Sequence, residues 1–129
     1  MAHPNEDLVR RGYAAFGTGD IGTLQELFAD DIVWHFPGSS VVSGDFKGKA
    51  EVMGWLAKNA ELSGGTLRIE AHDILANDEH AVGLIRVTGQ RAGKSLDDPS
   101  VQVFHIKDGK VTEVWLNPND QEASDNFWA

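Results

Sequence analysis

The sequence predicts an α+β protein in which a cone-shaped, curved antiparallel (mixed) sheet packs on three N-terminal helices. Two observations support this prediction. Segments with helical periodicity occupy the first half of the chain, and hairpin-linked strands occupy the second half. A curved sheet packed on helices leaves a cavity between the two layers, and small ligands usually bind in such a cavity.

Length and composition predict one cytoplasmic domain that spans residues 1–129. The chain has no cysteine, which is typical of a reducing compartment and excludes disulfides and cysteinate metal sites. Its net charge of −9 disfavours nucleic acids and anionic membranes as partners. No apolar run approaches the roughly 20 residues that cross a bilayer, and the first residues lack the apolar stretch of a secretory signal.

The first helix is predicted to begin at Pro4, because proline is suited to the first turn and acidic residues follow it. Val9, Tyr13 and Phe16 follow at positions i, i+4 and i+7, which places them on one apolar stripe. Two glycines after Phe16 end this helix.

A second helix is predicted from its cap, since Asp20 is a good N-cap and Asp30 and Asp31 close the segment. Its apolar stripe consists of Ile21, Leu24, Leu27 and Phe28. Residues 32–36 follow as a short strand, because they are rich in β-branched and aromatic side chains and precede a Pro-Gly pair.

The third helix is predicted over residues 49–60, and two glycines at positions 64 and 65 end it. Its apolar face is expected to consist of Met53, Leu56, Ala57 and Ala60. The segment "GDFKGK" before it is interpreted as the turn that leads into the helix.

Four strands are predicted in the second half, over residues 66–76, 80–90, 101–106 and 111–116. The Asp108-Gly109 pair between the last two is the strongest hairpin signal in the chain. In the tail, Phe127 and Trp128 are expected to fold back onto the pocket mouth or onto a partner subunit.

Three segments of the chain together resemble one family. They are "GDIGTLQELFADDIVWHFPG", "SGDFKGKAEV" and the hairpin "VFHIKDGKVTEVW". The pattern is similar to the nuclear transport factor 2-like superfamily, and within it to the SnoaL-like polyketide cyclases and relatives of ketosteroid isomerase. Members include isomerases, cyclases, epoxide hydrolases, dehydratases and inert binding modules. The resemblance therefore implies the fold, and function has to be argued from the site.

The resemblance also implies which positions would hold the family's catalytic groups. The general-base aspartate of ketosteroid isomerases falls on Phe36, and the acid that donates to the oxyanion falls on Gln102. The tyrosine of that oxyanion hole falls nearest Gly12, one residue from Tyr13. The catalytic aspartate of the polyketide cyclases falls on Leu116, and its histidine partner again falls on Gln102. Because phenylalanine cannot accept a proton, steroid isomerisation by that mechanism is not expected.

The last hairpin has two alternative registers. A two-residue turn would pair Gln102 with Trp115, and a three-residue loop with a bulge would pair Gln102 with Val114. We adopt the second, because it places the positions implied by the resemblance on one side. The pocket face then consists of Ser100, Gln102, Phe104, Thr112, Val114 and Leu116.

The outer face in this register carries apolar side chains that a monomer would expose. It consists of Val101, Val103, His105, Glu113 and Trp115. Exposed apolar patches of this kind usually mark an interface. We therefore expect a homodimer through the outer face of the sheet.

The central hairpin has two candidate buried faces. One consists of Arg68, Glu70, His72, Leu84, Arg86 and Thr88. The other consists of Leu67, Ile69, Ala71, Asp73, Leu75, Ile85 and Val87. We favour the second because it is more apolar, and it would make Asp73 a candidate general acid or base. Under the first, His72 and the Glu70–Arg86 pair would line the pocket, so in either case His72 or Asp73 is expected to face inward.

The first strand offers a third candidate. Trp34 and Phe36 share the face expected to line the pocket, although an ordinary core would explain them equally. His35 is a candidate acid or base because free histidine titrates near neutral pH. Strict alternation turns it away from the cavity, and a bulge before Pro37 would return it.

Two functions remain open. The first is a SnoaL-like enzyme that performs cofactor-free proton transfer (isomerisation, cyclisation or hydration) on an apolar, aromatic or polycyclic small molecule, with Gln102 orienting a carbonyl and His35, His72 or Asp73 moving the proton. The second is a non-catalytic binding module for a hydrophobic metabolite. The expected ligand contacts are Tyr13, Phe16, Trp34, Phe36, Trp55, Arg86, Gln102, Phe104 and Leu116. No histidine pair has metal-ligand spacing and no glycine-rich phosphate loop is present, so neither metal nor cofactor is expected.

Overall fold

The computed structural model describes residues 3–129. Its elements are α1 (Pro4–Thr18), α2 (Ile21–Leu27), β1 (Phe28–Phe36), β2 (Gly44–Lys47), α3 (Lys49–Leu62), β3 (Arg68–Ala76), β4 (His80–Arg91), β5 (Lys94–Lys107), β6 (Lys110–Pro118) and α4 (Gln121–Phe127). The strands form one sheet in the order β2-β1-β6-β5-β4-β3. β1 and β6 are parallel and the other neighbours are antiparallel, which confirms an α+β fold with a mixed sheet. A fourth helix, α4, lies at the C-terminal end, where no helix was predicted.

The first two helices begin where they were predicted to begin, at Pro4 and after Asp20, although the N-cap role of His3 was not predicted. In α1 the His3 side chain accepts a hydrogen bond from the backbone of Asn5, and Gly19 ends the helix in the left-handed conformation at φ 71°. In α2 the Asp20 side chain accepts from the backbone of Thr23. Phe28 ends α2 and is already extended, so β1 begins four residues earlier than predicted.

The segment predicted to be a turn before the third helix is instead the edge strand β2. It pairs antiparallel with β1, with Phe46 opposite Trp34. Four residues with three polar or glycine positions carry too little alternation to reveal a strand.

The helix α3 buries a different face from the predicted one. Its buried residues are Val52, Trp55, Leu56 and Asn59, whereas Ala57 and Ala60 are exposed. Burying tryptophan and valine removes more apolar area from water than burying two alanines, which explains the orientation. The same rotation carries the polar Asn59 into the interior.

A β-bulge at His72 changes the faces of β3. Ala71 pairs with Ile85 and Asp73 pairs with Leu84, so His72 has no partner. The favoured apolar face is therefore correct up to Ala71 and reversed beyond it. The expectation that either His72 or Asp73 faces inward is wrong, because the extra residue turns Asp73 outward and both side chains are exposed.

The turn between β5 and β6 contains two residues, Asp108 and Gly109, and both have positive φ. The three-residue loop that we adopted is therefore wrong. A bulge at Thr112 then shifts the register by one residue. This bulge preserves most of the predicted faces, although Thr112 itself bonds to the outer-face His105 backbone.

Beyond that bulge, Gln102 pairs with Leu116 rather than with Trp115 or Val114. Gln102 and Phe104 remain on the inner face of the sheet, as the adopted register required, and both are buried. Apart from Thr112, the predicted inward-facing residues of this hairpin keep their face, through a register that neither alternative contained.

The helices pack on the inner face of the sheet. α1 packs on β3 and β4, α2 on β1 and β6, α3 on β1 and β2, and α4 on β5. The space between these helices and the sheet contains the cavity described below. Within residues 3–129 no helix has the length and hydropathy needed to cross a membrane.

Candidate functional site

A cavity of about 100 Å³ lies between the helices and the inner face of the sheet. Aromatic rings form much of its wall. The ring of Trp55 lies 5.4 Å from that of Trp34 and 5.5 Å from that of Phe36, centroid to centroid. The indole of Trp55 donates to the backbone oxygen of Val42, which fixes the tryptophan in place.

Eight of the nine predicted ligand contacts line this cavity. They are Tyr13, Phe16, Trp34, Phe36, Trp55, Gln102, Phe104 and Leu116. Arg86 is the exception, because the apolar face of β4 turns inward and leaves the guanidinium on the outer face. There Arg86 is exposed and makes a two-pronged ion pair with Asp97, at 2.6 and 2.7 Å.

The polar centre of the cavity is a hydrogen bond between α1 and β5. The Tyr13 hydroxyl donates to Oε1 of Gln102 over 2.7 Å. Burial raises the pKa of Tyr13 well above its ordinary value, because the charged form would lose its hydration. The tyrosine is therefore a neutral donor at physiological pH. The bond occupies Oε1 and leaves the Nε2 amide of Gln102, with its two N–H groups, as the donor that this side chain offers to the cavity.

None of the three predicted proton-transfer residues lines the cavity. His72 and Asp73 are exposed around the bulge in β3. His35 follows strict alternation along β1, with no bulge before Pro37, and faces the opposite side of the sheet from Trp34.

On the outer face, His35 binds two carboxylates. Its Nδ1 lies 2.7 Å from Oδ1 of Asp45 and its Nε2 lies 2.6 Å from Oε2 of Glu113. The imidazolium form of the ring can donate to both carboxylates at once. Partial burial lowers the pKa of His35, but the hydrogen bonds to Glu113 and Asp45 outweigh it, and the pKa is raised overall.

Three polar residues in the cavity wall were missed, namely Asp98, Asn59 and Ser124. Asp98 is buried, and its oxygens accept hydrogen bonds from the Ser100 hydroxyl and from the backbone of Asn119 and Asp120. It thereby holds the start of α4 against β5. Its position on an alternating but polar segment gave no apolar periodicity from which to detect it.

The second missed residue is Asn59, which lines the cavity and is 3% exposed. No described residue makes a hydrogen bond to its Oδ1 atom, and the Nε1 atom of Trp34 also has no partner among them. A sequence signal for Asn59 existed, because it lies at i+4 from Trp55 and i+7 from Val52 on α3.

The charge of the cavity wall limits what it can bind. No lysine, arginine or histidine is among the described residues that line it. An anion would therefore lose its hydration without gaining a counter-ion. The arrangement accommodates an uncharged, mostly apolar molecule with a small number of hydrogen-bonding groups.

Comparison with known proteins identifies the family. The sequence profile of the SnoaL-like domain matches residues 9–114. The chain belongs to the SnoaL-like family. This SnoaL-like chain is 34% identical over 124 residues to the uncharacterized protein Rv0034 of Mycobacterium tuberculosis (strain ATCC 25618 / H37Rv), with 95% of each chain covered.

Solved structures agree with this assignment. Bal32a, from a soil-derived mobile gene cassette, superposes with a TM-score of 0.95 at 38% identity, covering 98% of this SnoaL-like chain and 97% of Bal32a. TerC superposes with a TM-score of 0.85 at 22% identity, covering 97% of this chain and 98% of TerC. The similarity to TerC shows the fold alone.

Proposed function

We propose that this SnoaL-like protein binds a neutral, apolar aromatic molecule in its cavity and holds a carbonyl oxygen of that molecule with Gln102. The observation that carries the proposal is the Tyr13–Gln102 hydrogen bond, which commits Oε1 and leaves Nε2 as a donor. A carbonyl oxygen is the group that matches this donor.

The position of Gln102 supports this role. The side chain is 4% exposed and lies on the inner face between Gly83 of β4 and Leu116 of β6. Tyr13 engages Oε1, so Nε2 remains available to donate to a ligand in the cavity. A ligand carbonyl would accept that hydrogen bond in a wall that is otherwise mostly apolar.

The size of the cavity supports a small ligand. An engineered apolar cavity of about 150 Å³ binds benzene, so a space of about 100 Å³ is on the scale of a single ring. Aromatic side chains such as Trp34 and Phe36 offer ring faces and edges against which a flat molecule can pack. Among proteins of this fold, TerC has been co-crystallised with polyporic acid.

A second candidate function is cofactor-free proton transfer on the bound molecule, and Asp98 is the observation that favours it. Asp98 is the one carboxylate among the described residues that line the cavity. Its oxygens already accept three hydrogen bonds, which position them but also occupy part of their capacity. Binding without turnover is the function that the geometry supports better.

A search for a co-purified ligand tests the first function and separates it from the second. Native mass spectrometry of the purified chain is expected to show a bound neutral molecule, and the Gln102→Leu variant is expected to lose it. Conversion of that molecule by the wild type, abolished in Asp98→Asn while binding is retained, would favour the enzyme. A wild-type chain that binds neither a co-purified molecule nor a single-ring ketone would contradict both functions.

We also propose that the outer face of the sheet pairs with a second copy of the chain. Val101, Val103 and Trp115 are half-buried there by the rest of residues 3–129. Trp115 stacks on His35 with an angle of 13° between the rings and meets His105 edge-on. A partly apolar surface of this kind is suited to a symmetric partner.

A further inference from the structure

The cavity contains a second polar position, at Asn59 on α3. The side chain is 3% exposed and lines the cavity together with Trp55 and Leu56, and its Oδ1 has no hydrogen-bond donor among the described residues. The backbone of Asn59 is satisfied, since its carbonyl oxygen accepts from Ser63. The unpaired atom of Asn59 is therefore the side-chain Oδ1.

An asparagine that served only the fold would be expected to bond to its neighbours. The large majority of buried polar side-chain atoms have a hydrogen-bond partner, because an unpaired buried atom loses its hydrogen bonds to water and gains none in the protein. At this position on α3 a leucine would pack against Trp55 and Leu56 without that cost. The fold therefore does not explain the asparagine, and its cavity position offers an explanation.

We infer that Asn59 is a second anchor for the ligand and accepts a hydrogen bond from a hydroxyl or N–H group of that molecule. The inference rests on the proposed function, in which Gln102 donates to a carbonyl at another point of the wall. Oδ1 is an acceptor only, so it cannot hold a second carbonyl or an ether oxygen. The ligand class is thereby narrowed from aromatic ketones to aromatic ketones that also carry a hydroxyl or amide N–H.

Three matched probes test this. They are acetophenone, 3-hydroxyacetophenone and 4-hydroxyacetophenone, titrated calorimetrically at pH 6.5, where all three are neutral. In the wild type the better of the two hydroxy compounds is expected to bind more tightly than acetophenone. The ratio of these two affinities is expected to fall about tenfold in Asn59→Leu, the size of one good hydrogen bond.

The outcomes separate the two proposals. If acetophenone does not bind to the wild type, the proposed function is wrong. If acetophenone binds but the hydroxyl gives no advantage, or the advantage persists in Asn59→Leu, the inference about Asn59 is wrong. If Asn59→Leu and Asn59→Ala both lose the cooperative thermal transition of the wild type, Asn59 supports the fold and the inference is overturned.

Discussion

The hydroxyl of Tyr13 lies 2.7 Å from Oε1 of Gln102, and a glycine makes this approach possible. Gly83 is the register partner of Gln102 on the neighbouring strand. A Cβ atom placed on Gly83 would lie 2.3 Å from the Tyr13 hydroxyl oxygen and 3.2 Å from its ring. Gly83, which has no side chain, therefore leaves the space that the Tyr13 ring occupies. In this position the Tyr13 hydroxyl bonds to Gln102 and orients its amide.

Substituting Gly83→Ala is expected to displace the Tyr13 ring and break its hydrogen bond to Gln102. Because the added methyl group overpacks the inner face, we expect the free energy of unfolding to fall by about 1–3 kcal/mol. The measurement is urea denaturation followed by tryptophan fluorescence, together with acetophenone titration, which should show weaker binding.

The matched control for this prediction is Gly54→Ala on the exposed face of α3. No heavy atom lies within 4 Å of a Cβ placed there, so the substitution is expected to be neutral or stabilising. Equal stability of the Gly83→Ala and Gly54→Ala variants would contradict the positioning role of Gly83.

The titration of tyrosine gives a direct readout of the same site, because Tyr13 is the only tyrosine in the chain. Its pKa is raised by burial, so the native protein should show no tyrosinate absorbance at 295 nm near pH 10, where a free tyrosine is half ionised. Above about pH 10 the tyrosine of the unfolded chain ionises while the buried tyrosine of the native chain stays neutral. The free energy of unfolding should therefore decrease as the pH rises above about 10. A native chain that titrates with the ordinary value would show that Tyr13 is exposed to solvent.

The outer-face ion pairs of His35 predict a different pH dependence. Glu113 and Asp45 raise the pKa of His35 in the folded state. The contribution of His35 to stability is therefore complete below the pKa of the unfolded state, near 6.5, and is lost as the pH rises through the higher pKa of the folded state. The expected effect is on the order of 1 kcal/mol or less, because these side chains are partly exposed. Thermal midpoints at pH 6.0 and 8.5 should differ more in the wild type than in His35→Gln, and parallel profiles would exclude the role.

The proposed dimer can be tested at Trp115. Placing a charge at the centre of an apolar contact is costly, so Trp115→Glu is expected to shift a dimer to a monomer in light scattering at micromolar concentration. The exposed Ile21 lies on α2, away from the outer face of the sheet, and Ile21→Glu serves as the control that should stay dimeric. A wild-type chain that is monomeric at that concentration would contradict the proposal.

Much of the fold could be predicted from periodicity and caps. The α1 stripe of Val9, Tyr13 and Phe16, the Asp20 cap and the alternation of Trp34 and Phe36 each follow from a local rule that the structure obeys. These rules also placed most of the cavity wall correctly, because the apolar periodicity of a strand or helix identifies its inward-facing residues.

The wrong predictions about strand faces and register come from single inserted residues, which the sequence pattern does not reveal. The bulge at His72 reverses the faces of β3 beyond it, the bulge at Thr112 offsets the shorter turn before it, and neither changes the local composition. This is why the predicted inward position of Asp73 failed. Asp98 was missed because it lies on a polar segment without apolar periodicity, and Asn59 was missed because the buried face of α3 was predicted on its alanines rather than on Val52 and Trp55.

The central claim is that the Nε2 amide of Gln102 holds a ligand carbonyl inside the cavity. Calorimetric titration of the wild type and Gln102→Leu with acetophenone and ethylbenzene tests it most directly, because the two probes differ chiefly in that carbonyl. The ratio of acetophenone to ethylbenzene affinity is predicted to be about tenfold higher in the wild type than in Gln102→Leu, as expected for one hydrogen bond. An identical ratio in both proteins, or no binding of either probe to the wild type, would contradict the account.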